Sequence, residues 1–166
     1  MTEPDYSPDV KAVPINTIDL CWATSSQSPL IEGPLQPHDL INHRLVTNPS
    51  PSNLYHSTID WFGSTGLRPE HISTCNTLQG TLQLIASGFA IGLVPSELLN
   101  YLPAPLGLKA LKTLPEIKPH SLCICYNHSV IDQTLQTVIA ELGNILCERP
   151  RKMATDKVVQ SFNLNT

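Results

Sequence analysis

Two short polar segments carry the side chains of this chain that could do chemistry. Asn48-Pro49-Ser50-Pro51-Ser52 and Thr74-Cys75-Asn76-Thr77 each follow a short strand-like run and precede a run with helical spacing. Because the first N–H groups of a helix have no partner inside it and its dipole is positive there, such junctions attract carboxylates. Hydroxyl and amide side chains add further donors. The pattern predicts that a small anion is bound by Asn48, Ser50, Ser52, Thr74, Cys75 and Asn76.

Two other interpretations of these segments stay open. Ser, Thr and Asn cap helices in any protein, so ordinary N-capping explains the same residue types without a ligand. Cys75 lies close to a predicted helix N-terminus, where the pKa of a thiol falls, so it could respond to oxidants. The sequence gives it no evident resolving thiol.

The sequence favours neither a metal site nor a catalytic site. Cys123 and Cys125, flanked by His120 and His128, lie two residues apart in a predicted strand, whereas tetrahedral zinc sites favour the C-x₂₋₄-C spacing of a turn. G-x-S-x-G, H-E-x-x-H, P-loop and G-x-G-x-x-G motifs are absent from the sequence. We therefore expect no metal, no cofactor and no enzymatic activity.

The second polar segment belongs to a strand–helix–strand unit. His71 to Cys75 alternates like a strand, and Asn76 or Thr77 can open the following helix. Gly88 can end that helix, because glycine adopts the left-handed conformation readily. The apolar run Ile91 to Val94 then reads as a buried strand. Such units predict a parallel α/β sheet, and open α/β sheets bind ligands beyond the carboxyl ends of their strands.

Hydrophobic periodicity and turn residues predict the rest of the secondary structure. The remaining predicted elements are extended backbone over 13–23, a helical turn capped by Asp39, a strand at 45–46, a helix that Ser52 or Asn53 opens and Gly63 or Gly66 ends, a helical turn over 96–101, strands over 108–114 and 120–126, and a helix with one buried stripe over 130–147.

Composition limits the class of protein. The 166 residues, 41% of them apolar, suffice for one domain with a core. A formal charge of −4 argues against a nucleic-acid-binding surface, and the basic cluster Arg149 to Lys152 reads as a solvated tail. No run of about 18 apolar residues and no export signal is present, so we expect no membrane contact. Five cysteines without a disulfide pattern predict reduced thiols in the cytoplasm.

The run Leu84 to Pro95 resembles the L-V-A-A-G-x-G-I-x-L-L-P segment of LysR-type transcriptional regulators, which lies in their C-terminal effector-binding domain. Further segments resemble the same family in order and spacing. They are Trp22 to Leu30, Asp39 to Thr47, Ile59 to Phe62, and Gly66 to Pro69 with Ile72. The resemblance covers residues 15–148, with Ala90 where the family usually has its second glycine.

The resemblance implies an α/β, periplasmic-binding-protein-like (type 2) effector domain, mainly its second subdomain, with a mixed or parallel sheet flanked by helices. It implies a tail over 1–12, the effector-binding domain over 13–148 and a polar tail over 149–166. Within the domain, subdomain II spans about 20–118 and returning elements of subdomain I span about 119–148. The implied function is to sense a small metabolite and so modulate DNA binding. The implied partners are the effector, further copies of the chain, and DNA only through a helix-turn-helix domain absent from this sequence.

Three alternatives remain from the sequence. The chain could be a stand-alone ligand-binding or interaction module that pairs with full-length regulators through an exposed sheet edge. It could be the solute-binding domain of a transporter, which shares this fold, although that reading needs an export signal. It could also be a piece of a longer protein.

Overall fold

The structure of the chain, a computed structural model, describes residues 9–30, 33–101, 107–127, 129 and 132–148. In chain order its elements are β1 (Val10–Ile18), β2 (Leu20–Ser25), α1 (Pro37–Leu40), β3 (Leu45–Thr47), α2 (Asn53–Gly63), β4 (Ile72–Thr74), α3 (Leu78–Ala86), β5 (Ile91–Pro95), α4 (Ser96–Tyr101), β6 (Leu108–Leu111), β7 (His120–Asn127) and α5 (Gln133–Glu148). Contacts divide the chain into two compact units. Unit 1 combines Met1–Ile18 with Ser121–Thr166, and unit 2 is Asp19–His120.

Unit 2 is built on a five-stranded mixed sheet in the order β4-β3-β5-β2-β6. Strand β3 is parallel to β4 and to β5, whereas β2 is antiparallel to β5 and to β6. The three parallel strands are connected through α2 and α3, because a parallel neighbour can be reached only by a crossover. The predicted mixed or parallel sheet with flanking helices is confirmed.

Local sequence signals fix where α2 and α3 begin and end. The Ser52 hydroxyl accepts a hydrogen bond from the Tyr55 N–H at 3.1 Å, and the Thr77 hydroxyl accepts one from the Gly80 N–H at 3.2 Å. Of the residues predicted to open the two helices, Ser52 and Thr77 hold the N-cap positions. Gly88 follows α3 with a φ of 75°, as predicted for a helix stop.

The two helices cover opposite faces of the sheet. Trp61 and Phe62 of α2 pack against Trp22 of β2, with ring centroids 5.1 and 5.8 Å from that indole. On the other face, α3 comes so close that a Cβ on Gly92 of β5 would lie 2.9 Å from Ile85 Cδ1. Burial of each large apolar side chain contributes about 1.5–3 kcal/mol, so the aromatic cluster is a main source of stability for unit 2.

In unit 1, β1 pairs with β7 in a two-stranded sheet, and α5 packs against β1. Helix α5 begins at Gln133, where the Asp132 carboxylate accepts a hydrogen bond from the Leu135 N–H at 2.8 Å. The predicted start at residue 130 lies outside the described residues. The predicted single buried stripe is wrong for part of this helix. Val138, Leu142 and Ile145 are 46%, 42% and 45% exposed, because the described strands of unit 1 cover one side of α5 only.

Two further predictions differ from the structure. The extended backbone predicted over 13–23 is broken at Asp19, so that β1 and β2 lie in different sheets. At the break, the Asp19 carbonyl accepts hydrogen bonds from the N–H and the hydroxyl of Ser96. Helix α1 begins at Pro37, before Asp39, and the Asp39 carboxylate reaches back to the Gln36 N–H at 2.7 Å. Within the described residues, no helix has both the length and the apolarity that crossing a membrane requires.

Candidate functional site

The two polar segments lie next to each other at one edge of the unit 2 sheet. Thr47 and Thr74 are register partners at the ends of β3 and β4, and the Cys75 N–H donates to the Thr47 carbonyl at 2.9 Å. Asn48 and Cys75 therefore begin neighbouring loops. We call this the carboxyl edge, because β3, β4 and β5 end there.

Both α2 and α3 begin at the carboxyl edge, so their positive dipole ends lie at the same edge of the sheet, although the helices cover opposite faces. The Ser52 oxygen is occupied as the cap of α2, so towards a ligand this hydroxyl can act as a donor. The Tyr55 and Gly80 N–H groups donate to the caps, whereas the N–H groups of the first two residues of each helix have no acceptor within the helix and can act as donors to a ligand.

The predicted binding residues differ in exposure. Ser50, Thr74 and Asn76 are exposed to solvent. Asn48, Cys75 and Ser52 are partly buried. The side chains of the first group are therefore the more accessible to a solute.

The thiol of Cys75 packs against the first turn of α3. Its sulfur lies 3.6 Å from the Thr77 carbonyl oxygen and 3.8 Å from the Thr77 hydroxyl. Hydrogen bonding to the Thr77 backbone lowers the pKa of this thiol below its ordinary value, and burial works against that effect. The close approach requires Gly80, where a Cβ would lie 2.7 Å from the Cys75 sulfur. Sequence reasoning missed Gly80, although a glycine inside a helical pattern was an available signal.

One buried hydroxyl near this edge has no partner in the described part of the chain. Thr47 is 2% exposed, and its hydroxyl oxygen has no hydrogen bond. The indole nitrogen of Trp22, deeper in the core, is also without one among the described residues. Buried polar groups are normally paired, so the hydroxyl of Thr47 is a polar group that a ligand or water at the carboxyl edge could satisfy.

Both chain segments that lead out of unit 2 leave it at the carboxyl edge. Asp19 is held by Ser96, which directly follows the end of β5. At the other exit, Pro115 accepts a hydrogen bond from the Trp61 indole at 2.7 Å, and His120 Nε2 lies 2.6 Å from the Ser57 hydroxyl oxygen. The segment from Pro115 to His120 therefore runs along α2 towards the helix N-terminus. No sequence signal marked His120 for this role.

The described residues include no cluster of three His, Cys, Asp or Glu side chains that could hold a metal ion. Cys21, Cys75, Cys123 and Cys125 are unpaired thiols. Burial raises the pKa of the Cys21 thiol to about 11, which makes that thiol unreactive near neutral pH. His128, the second flanking histidine considered for zinc, lies outside the described residues.

A mixed α/β sheet whose strand–helix junctions and exits meet at one edge defines a class of ligand-binding domain. The family model of the LysR substrate-binding domain matches residues 1–145 of the chain. The chain therefore belongs to the LysR substrate-binding-domain family. The predicted resemblance and the periplasmic-binding-protein-like type 2 fold are confirmed, and with them the function of an effector-binding domain. Effector domains of this family bind small molecules, belong to oligomeric regulators and are generally not enzymes.

Solved structures of the same family share the fold. The effector-binding domain of a BenM variant is 21% identical with a TM-score of 0.69, over 87% of this chain and 68% of that one. The BenM effector-binding domain with its effector benzoate is 20% identical with a TM-score of 0.61, over 90% and 70%. An OxyR mutant from Corynebacterium glutamicum is 18% identical with a TM-score of 0.71, over 97% of this chain but 48% of the OxyR chain. No curated protein matches the chain.

Proposed function

We propose that the chain senses a small carboxylate at the carboxyl edge of unit 2 and thereby modulates DNA binding by a LysR-type regulator. The observation that carries this proposal is the convergence of two helix N-termini and both exits of unit 2 at one edge. DNA contact would come from a helix-turn-helix domain outside these 166 residues. A cytoplasmic location remains a prediction.

The proposed roles follow from exposure and hydrogen-bonding capacity. Thr74 and Asn76 donate to the carboxylate beside the free N–H groups of the first turn of α3. Ser50 and the N–H groups at the start of α2 approach from the neighbouring loop. Asn48 and Cys75 shape the floor, and Ser52 holds α2 in place through its cap. Each hydrogen bond to a charged group contributes about 1.5–3 kcal/mol, so loss of one donor weakens binding about tenfold or more.

A carboxylate is supported by the chemistry of the edge and by one relative. The BenM effector-binding domain is solved with benzoate, a carboxylate, as its effector. In this chain the donors at the carboxyl edge are neutral hydroxyl, amide and N–H groups at helix N-termini, which suit a small anion. Binding would act by population shift, since a ligand that prefers one conformation of the chain increases the share of that conformation. We propose that the carboxylate is bound without being chemically converted.

The test is a titration of the 166-residue chain with acetate, succinate and benzoate, followed by the fluorescence of the buried Trp22 and Trp61 and by amide NMR shifts. We expect at least one carboxylate to shift the amides of Thr74 and Asn76. Asn76→Leu and Thr74→Val should each weaken its binding about tenfold. Gln83→Leu is the matched control, because Gln83 is an exposed amide on α3 away from the helix N-terminus. Unchanged affinity in Asn76→Leu would contradict the assignment.

A second candidate function is favoured by the exposed apolar side chains of α5. Val138, Leu142 and Ile145 present a face that could pair with another chain. The chain would then act as an interaction module for full-length regulators or for further copies of itself. Light scattering across a range of protein concentrations tests self-association, which the family also predicts. A monomer at every concentration, with no mixed species after addition of a full-length regulator, would reject this candidate.

A further inference from the structure

Unit 2 has a second polar concavity at the edge opposite to the carboxyl edge. It lies where β3 and β5 begin and β2 ends, and its volume is about 360 Å³. We call it the amino-edge pocket; the lining residues that matter here are Ser25, Ser28, His43, Arg44, Ser87 and Phe89. It is formed by three segments that are distant in sequence, and no residue of the candidate effector site contributes to its wall.

Arg44 is the central group of the amino-edge pocket. Its carbonyl accepts a hydrogen bond from the Ile91 N–H at 2.9 Å, which ties its backbone to the start of β5. Its guanidinium carbon lies 4.2 Å above the centre of the Phe89 ring. Among the described residues, no carboxylate is close enough to Arg44 to form an ion pair. The contact with Phe89 therefore restrains the guanidinium, and its N–H groups can still donate to a ligand.

Phe89 is positioned by the end of α3. Gly88 takes a φ of 75°, and the Phe89 N–H then donates to the Leu84 carbonyl at 3.1 Å. This turn holds the ring beside Arg44 with 44% of its surface exposed. A charged side chain held on a rigid platform loses little freedom on binding, which favours affinity for a ligand.

The described lining of the pocket carries a cationic side chain and no carboxylate, whereas the whole chain is net negative. The formal charge of the whole sequence is −4, yet the described lining of this pocket contains no Asp or Glu. Lys109 lies behind one wall, and its ammonium donates to the carbonyls of Ser28 and Leu30 at 3.0 and 3.2 Å. The Ser25 hydroxyl accepts a weak hydrogen bond from the Gln27 N–H at 3.4 Å, so its own proton can be donated.

We propose that the amino-edge pocket is a second ligand site, which binds the oxyanion of a small metabolite on the N–H edge of Arg44. A planar guanidinium offers two parallel donors to a carboxylate or a phosphate, and the Ser25 hydroxyl can supply a third. The exposed part of Phe89 adds apolar contact for the rest of the ligand. Phosphate esters and carboxylates share this chemistry, and the experiment below separates them. The site is independent of the carboxylate binding proposed at the carboxyl edge.

The competing explanation is structural. A cation near the C-terminal end of α3 interacts favourably with the helix dipole, and stacking on Phe89 stabilises the pair without any ligand. This explanation predicts that removing Arg44 lowers stability but changes no ligand affinity. The test must therefore measure binding and stability separately.

The test is an NMR titration of the ¹⁵N-labelled chain with inorganic phosphate and, separately, with acetate, at about 0.15 M salt, where long-range charge effects are largely screened. We expect one or both ions to shift the Arg44 side-chain Nε–H and the amides of Ser25 and Phe89. Shifts with phosphate alone assign the site to phosphate esters, and shifts with acetate alone assign it to carboxylates. Saturable shifts are required, and their absence with both ions would overturn the proposal.

Matched variants locate the binding. Arg44→Met, which keeps the length of the side chain, should weaken binding about tenfold or more, and Arg44→Lys should weaken it severalfold because it loses the two-donor geometry. Phe89→Leu should weaken it severalfold while retaining the charge. Arg68→Met is the control, because Arg68 is exposed in the same unit but outside the pocket. Equal weakening by Arg68→Met, or unchanged binding in a folded Arg44→Met, would show that the pair is only structural.

Discussion

Two cysteines of this protein, Cys21 and Cys75, differ in acidity because their immediate surroundings differ. Burial in β2 raises the pKa of Cys21 to about 11, whereas hydrogen bonding to the Thr77 backbone lowers the pKa of Cys75. The thiolate is the reactive form, so two thiols of the same chain differ in nucleophilicity at neutral pH. Cys75 also lies among the proposed effector-binding residues, which makes its reactivity a reporter for that site.

We predict that iodoacetamide at neutral pH modifies Cys75 well before Cys21. The reason is that Cys75, whose pKa is lowered, has the larger thiolate fraction at neutral pH. Peptide mass mapping over time measures the two rates, with Cys75→Ser as the control that removes the fast site. As the pH is lowered, Cys75 should retain its reactivity to a lower pH than an ordinary thiol. Equal rates for the two cysteines would contradict the described environments.

At the scale of elements, glycine determines how closely α3 can approach the sheet. Gly92 faces α3 from β5, and a Cβ there would lie 2.9 Å from both Ile85 Cδ1 and the Val46 carbonyl oxygen. The carbonyl cannot move without disturbing the pairing of β3 and β5. Gly63, at the end of α2, has nothing within 4 Å of the same position. The two glycines thus provide a tight site inside the sheet and an open site at the end of α2.

We predict that Gly92→Ala lowers the free energy of unfolding by about 1–3 kcal/mol, as overpacking in a core does. Gly63→Ala should leave stability unchanged or raise it by up to about 1 kcal/mol, because alanine reduces the entropy of the unfolded chain. Urea unfolding followed by the fluorescence of the buried tryptophans measures both variants. A Gly92→Ala protein as stable as the parent would mean that α3 can move away from β5 without cost.

The helices and strands also show which features could be predicted from the sequence. Gly88, Thr77 and Ser52 act locally, through backbone conformation or capping, and their roles could be predicted from neighbouring residues. The break at Asp19 depends on Ser96, which lies far along the chain. The amino-edge pocket likewise joins three distant segments, so no spacing pattern revealed it. Local structure and the family could therefore be predicted from the sequence. The contacts between distant segments could be found only in the structure.

At the scale of the whole molecule, His120 connects α2 with the segment that leaves unit 2. Its Nε2 atom lies 2.6 Å from the Ser57 hydroxyl oxygen, five residues along α2 from the Ser52 cap. Burial lowers the pKa of His120 below its ordinary value of 6.5. The neutral form is therefore the one that the folded chain favours. Acid should weaken the attachment of this exit to α2.

We predict that stability is lost as the pH falls below 6.5, the ordinary pKa of His120, and continues to fall towards its lower folded-state pKa. The sign follows from proton binding, because the unfolded chain takes up a proton at a higher pH than the folded chain. His120→Gln keeps a hydrogen-bonding group but cannot titrate, so its melting temperature should change less between pH 7.5 and pH 5.5. His56→Gln, an exposed position on α2, is the control. Identical acid sensitivity of His120→Gln and the parent would assign the loss to other groups.

The continuity of unit 2 along the sequence has a consequence for synthesis on the ribosome. Asp19–His120 is one uninterrupted stretch, whereas unit 1 needs both the first strand and residues after His120. A nascent chain can complete the sheet of unit 2 while the partner strand of β1 is still untranslated. Until the residues after His120 are made, the apolar residues of β1 lack their partner strand, so this segment stays open to chaperones and to premature association during synthesis.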